Sequence, residues 1–147
     1  MFFLTGWFLV NIVAPLGLPL FGIAVLKLLP LPPQPALKFM TAVKDGQLCW
    51  AVIAMGASTI YELWEALEAH RPVPEWAPVA LGATIVMMLP AMVMAASGAV
   101  FSTPLLSAPA ATAKAWIAHY KVFVGSLIMT LIAALTYSEL HFSLPAP

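Results

Sequence analysis

The chain is 147 residues long, 63% apolar and only 8% charged, with six basic and six acidic side chains that cancel. A water-soluble domain of this size has too little interior to hide so much apolar surface, and the balanced charge lacks the clustered Lys and Arg that nucleic acid requires. The single cysteine, Cys49, excludes an intrachain disulfide and any multi-cysteine metal site.

The few charges are confined to short stretches. Residues 1–26, 46–61, 77–113 and 122–138 carry none, and a helix needs about 20 apolar residues to cross a hydrocarbon core about 30 Å thick. The pattern predicts one all-α integral membrane domain, a bundle of four transmembrane helices at about 2–26, 46–69, 77–100 and 115–140.

Helix one has no Lys or Arg ahead of it and is too long for a signal-peptide core, so it is read as a retained span. Pro15 and Pro19 interrupt it near Gly17 and Gly22 and take the N–H partners from the carbonyls of Asn11 and Pro15. A kink is the expected result, with a broken-helix binding site as the alternative. Lys27 closes the span. The loop 27–45 follows, stiffened by Pro30, Pro32, Pro33 and Pro35, and its Ala36–Val43 stretch is expected to lie along the interface with Phe39 and Met40 towards lipid.

Lys44-Asp45-Gly46-Gln47 opens helix two. Asp45 can cap the first amides and Lys44 can meet lipid phosphates; the same tetrad is the most polar surface on its side of the bilayer and is the candidate for docking a partner protein. Ser58, Glu62 and Glu65 then fall at i, i+4 and i+7, on one helix face that Ala54 and Ala51 continue inward. At 1.5 Å per residue from Gly46, Glu62 lies about 24 Å into the span. Asn11, Thr84 and Thr130 come to nearly the same depth, which predicts a polar layer around a carboxyl inside the hydrocarbon. An ionisable group there is either a proton-coupling group or an interhelical tie.

The turn His70–Glu75 leads to helix three, with Pro90 inside it; loop 101–113 contains Pro104 and Pro109; helix four carries Trp116, His119, Tyr120 and Lys121 in its first turns. Glu68-Ala69-His70 and Glu139-Leu140-His141 both spell Glu-x-His at helix ends. His70, His141 and one of the carboxylates Glu68 or Glu139 have the chemistry for Zn²⁺, although solvated interfacial side chains are the commoner meaning of such pairs.

Lys27, Lys38, Lys44, Lys114 and Lys121 flank the spans on one side and Arg71 alone on the other, so the positive-inside rule puts the loops 27–45 and 101–113 in the cytoplasm and both termini outside. Trp7, Trp64 and Trp76 then mark one interface, and Trp50, Trp116 and Tyr120 the other. No nucleophile elbow, phosphate loop or His-Glu-x-x-His motif is present, so neither catalysis nor a cofactor is expected. The resulting expectation is a small non-enzymatic protein of the bacterial inner membrane. It would act through helix–helix contacts with a membrane partner or with itself, as an accessory subunit or an immunity or exclusion-type protein. The alternative is a homo-oligomeric channel or proton-coupled small-molecule transporter that uses Glu62.

Overall fold

A computed structural model describes residues 2–28, 40, 43–106 and 112–144. The proline-rich connector 29–39, with Lys38, most of the expected interfacial segment, and Pro109 lie outside the described residues. Among those described, every regular element is a helix: α1 (Phe2–Phe8), a π-helical turn (Leu9–Val13), α2 (Ala14–Leu28), α3 (Cys49–Glu68), α4 (Ala77–Val100), α5 (Ala113–His119) and α6 (Lys121–Ser143).

The first helix widens where its prolines predict trouble. The Ala14 N–H reaches back five residues to the Leu9 carbonyl, which makes a π turn just ahead of Pro15. There the ring would otherwise press on the carbonyl four residues back. Asn11 sits in that turn and its Nδ2 donates to the Trp7 carbonyl at 3.0 Å. The expected kink is therefore a change of helical register.

Helix α3 starts at Cys49, three residues later than the hydropathy suggests, because residues 44–48 form a tight turn with Gly46 at φ 79°. It ends in a Schellman arrangement: the Arg71 N–H bonds the Ala66 carbonyl at 2.9 Å and the His70 N–H the Leu67 carbonyl at 3.1 Å. His70 occupies the left-handed position, φ 53°, where glycine is usual. Pro78 starts α4 in the one place a helix tolerates proline without loss. The expected fourth helix is two pieces, α5, capped by the Thr112 side chain on the Ala115 N–H at 3.2 Å, and α6, separated at Tyr120.

α3 lies centrally, packed along α4 and α6, and less extensively against the first helix. Its buried face is built of small and hydroxyl-bearing residues, Ala51, Gly56, Thr59 and Ala66, facing Ala91 and Ala95 on α4 and Ser126, Thr130 and Ala133 on α6. Val52, Met55 and Leu63 of α3 and Leu140 of α6 are buried with them, while other large aliphatic side chains face outward. Val79, Val86, Val93 and Val100, spaced by seven along α4, are 75%, 67%, 67% and 71% exposed. α4 and α6 are each long and apolar enough to cross a membrane by length and composition.

A non-glycine residue held in the left-handed region costs about 1 kcal/mol. His70→Gly is expected to stabilise the protein by about 1 kcal/mol, read as a higher midpoint of thermal unfolding in detergent; an unchanged or lower midpoint would mean that the imidazole makes up for its backbone.

Candidate functional site

Three helices each bring a pair of polar or aromatic residues four apart to the glutamate-rich end of the bundle: Trp7 and Asn11 from the first helix, Ser58 and Glu62 from α3, Tyr137 and His141 from α6. Four-residue spacing stacks side chains on one face, so the pairs meet around a groove of about 580 Å³. Tyr61 and Glu65 complete its walls.

Glu62 is the centre of the cluster. His141 Nδ1 lies 3.0 and 3.1 Å from its two oxygens, and the Tyr137 hydroxyl is 3.1 Å from Oε1. With Glu62 ionised its oxygens only accept, and in that state Nδ1 carries a proton and the phenol donates. The same hydroxyl lies 3.3 Å from Asn11 Oδ1. It has one proton for two acceptors, and protonation of Glu62 would free that proton for Asn11. Trp7 stacks on His141, centroids 4.1 Å apart and planes 14° apart, and tilts against Tyr137 at 5.1 Å. The ring that donates to Glu62 is thus held on its face as well as at its edge. Glu65, on the rim, pairs with Arg71 at 3.1 Å.

Of the expected polar layer, Glu62 and Asn11 come together, through Tyr137 instead of directly. Thr130 does not join them: its hydroxyl donates to the Leu48 and Ser126 carbonyls, at 3.2 and 2.7 Å, near the opposite end of α3. Thr84 is buried, and with Glu139 borders a separate, mostly apolar groove of about 550 Å³ between α4 and α6. His141 is committed to Glu62, away from Glu139. No group of three His, Cys, Asp or Glu side chains converges on a possible metal position among the described residues, and His70 and Glu68 stay exposed.

The tetrad expected to dock a partner is enclosed. Lys44 and Asp45 are 4% and 6% exposed and paired to each other. Lys44 Nζ donates to Ser102 Oγ at 2.8 Å, Ser102 Oγ to Asp45 Oδ2 at 3.1 Å, and the Thr103 N–H to Asp45 Oδ1 at 2.8 Å. Asp45 therefore holds the loop that follows α4 instead of capping α3, whose N-cap residue, Leu48, makes no side-chain cap. Gly46 is buried and Gln47 half-buried. Gly98 makes the approach possible, since a Cβ there would fall on the Asp45 carbonyl. His119 Nε2 donates to the Pro104 carbonyl at 2.9 Å, and the Leu106 N–H bonds the Tyr120 hydroxyl at 3.2 Å, holding the same loop from α5.

Tyr137, Trp7, Ser102 and Thr103 were not legible as site residues. The one available signal was the shared four-residue spacing of Trp7 with Asn11, Ser58 with Glu62 and Tyr137 with His141. Sequence alone does not say that these faces meet.

Burial pushes the Asp45 carboxyl up, but hydrogen bonds from Lys44, the Thr103 backbone and Ser102 outweigh it and hold the group below its ordinary value of 3.8. A depressed folded pKa stabilises above the unfolded value and is lost as the pH falls below it. Asp45→Asn, which leaves Lys44 buried without a counter-charge, is expected to cost about 3 kcal/mol at pH 7. The gap from wild type should narrow below about pH 4 in detergent unfolding; a gap independent of pH would remove the charge from the explanation. Compared with family models, curated proteins and solved structures, the chain matches none of them.

Proposed function

We propose that the chain is a non-enzymatic integral membrane protein of four spans that works as a homo-oligomeric, proton-coupled channel or carrier, with Glu62 as the coupling group. The observation that carries this reading is the Glu62–His141–Tyr137 cluster, three titratable groups in direct contact at the wall of an open groove. Intramembrane ionisable groups of this kind are expensive to maintain and are characteristic of proton and substrate paths.

The membrane reading rests on an inverted interior. Threonine, serine and alanine make many of the contacts of α3 with α4 and α6 beside the buried Val52, Met55 and Leu63, while a long row of valine, leucine and isoleucine side chains on α4 and α6 faces outward. In lipid no hydrophobic force drives helices together, and small residues that permit close approach take over that role. The same logic extends the spans to the first helix and to α3, whose glutamates gather at one end. By the lysine count, that end faces outside a bacterial inner membrane. A single copy encloses no path along its axis, because Val52, Met55, Ala91 and Ala133 fill the space beside α3; a conducting path therefore lies between copies.

A second reading, an accessory, immunity or exclusion-type subunit that acts by contact with a membrane partner, is favoured by the exposed valine stripe of α4. Native mass spectrometry of protein extracted gently from its own membranes separates the two: a homo-oligomer alone supports the first, a second polypeptide in fixed ratio the second.

In dye-loaded proteoliposomes under an imposed pH gradient, wild-type protein is expected to dissipate the gradient faster than empty vesicles. Glu62→Gln should reduce that excess rate at least tenfold while the oligomer stays intact. Undiminished flux through the variant would take Glu62 out of the mechanism.

A further inference from the structure

The groove beside Glu62 has walls that proton transfer alone does not require. We infer that it is a binding site for a small organic cation of the quaternary-ammonium type, seated between the Glu62 carboxylate and the rings of Trp7 and Tyr61. The inference deepens the proposed function and rests on the same site.

Charge selects the sign of the occupant. Among the described residues, the end of the bundle that holds the groove carries Glu62, Glu65, Glu68, Glu75 and Glu139 against Arg71 as its one permanent cation. Arg71 pairs with Glu65 at 3.1 Å, and the carboxylates still outnumber it at that end. Like charges gathered at one end raise the local concentration of a diffusing ion of opposite sign.

The walls select its chemistry. Ca²⁺ and Mg²⁺ demand six or more oxygen ligands, whereas the groove offers the rings of Trp7 and Tyr61, one amide, the Ser58 hydroxyl and two carboxylates, of which Glu62 already accepts from His141 and Tyr137 and Glu65 pairs with Arg71. With those oxygens occupied, an ammonium that needs hydrogen-bond acceptors gains little. A quaternary ammonium needs none; it requires negative charge nearby and aromatic faces to replace its weak hydration. The volume of about 580 Å³ accommodates such a group without displacing any side chain.

The titratable groups that face Glu62 are His141 and Tyr137 from α6 and Glu65, with its partner Arg71, from α3 and the turn after it. The first helix contributes neutral Trp7 and Asn11, and α4 contributes nothing to the groove. A proton taken up by the Glu62–His141 pair adds one positive charge next to the proposed seat. Proton and organic cation therefore compete, and this competition is what an exchanger requires.

The test uses choline and its neutral carbon isostere, 3,3-dimethylbutan-1-ol, titrated calorimetrically into the full chain in lipid nanodiscs. Choline is expected to bind about tenfold more tightly at pH 8 than at pH 5, across the range in which histidines change charge. The alcohol should bind at least tenfold more weakly at pH 8, and equimolar potassium should not displace choline. Glu62→Gln is expected to weaken choline at least tenfold. Tyr61→Leu, at an exposed position whose change leaves the core untouched, should weaken it about twofold to fivefold, and His141→Asn should flatten the pH profile. Equal binding of choline and the alcohol, or wild-type affinity in both Tyr61→Leu and Glu62→Gln, would overturn the inference. Choline binding without proton flux would leave this site standing and end the transport reading; flux in vesicles without choline binding would do the reverse.

Discussion

A carboxylate withdrawn from water must be met by donors, and the two that flank α3, Asp45 before it and Glu62 near its far end, determine how the other elements gather around that helix. Glu62 draws α6 and the first helix together through Tyr137, His141 and Asn11. Asp45 draws the end of α4 and the loop after it through Ser102 and Thr103. Either carboxylate left unpartnered would cost several kcal/mol in a poorly hydrated setting. Helix packing that failed to deliver those donors would therefore be penalised at both ends.

These polar contacts specify the arrangement more than they hold it. An intramolecular hydrogen bond contributes about 1 kcal/mol net, so the few on each side of α3 amount to a small part of the attraction. Close packing of Ala51, Gly56 and Ala66 of α3 among Ala91 and Ala95 of α4 and Ser126 and Ala133 of α6 supplies dispersion along the whole length. The division of labour has a functional side. At the lysine-bearing end the polar groups are buried and fully engaged with one another, which suits a fixed joint. At the glutamate-rich end they are half-buried, and one phenol proton serves two acceptors.

Legibility followed the distance over which each decision is made. Helices appear where uncharged runs are long enough, and the limits of α4 are where a local reading puts them, because Pro78 and the breaks after Val100 are local signals. The start of α3 was misplaced because the turn at Gly46 is stabilised by Met94 and Val122, distant residues that pack against it. The Lys44–Gln47 tetrad was read as a surface for the same reason. Its partners, Ser102 and Thr103, are nearly sixty residues away, and nothing near the tetrad announces them. Thr130 matched Glu62 in estimated depth yet bonds Leu48 near the opposite end of α3, because the count along the fourth helix ran through α5 and the break at Tyr120.

From sequence alone came the helical character, the blocks of apolar residues, the concentration of glutamate at one end and lysine at the other, and Glu62 as the side chain most in need of an explanation. These depend on composition and short-range spacing, which are written along the chain. Tertiary structure alone decided that His141 and Tyr137 satisfy Glu62, that Trp7 backs the imidazole, and that Lys44 and Asp45 close on the α4 loop. Each of these depends on which helix face turns towards which neighbour, and that choice is made by the packing of the whole bundle.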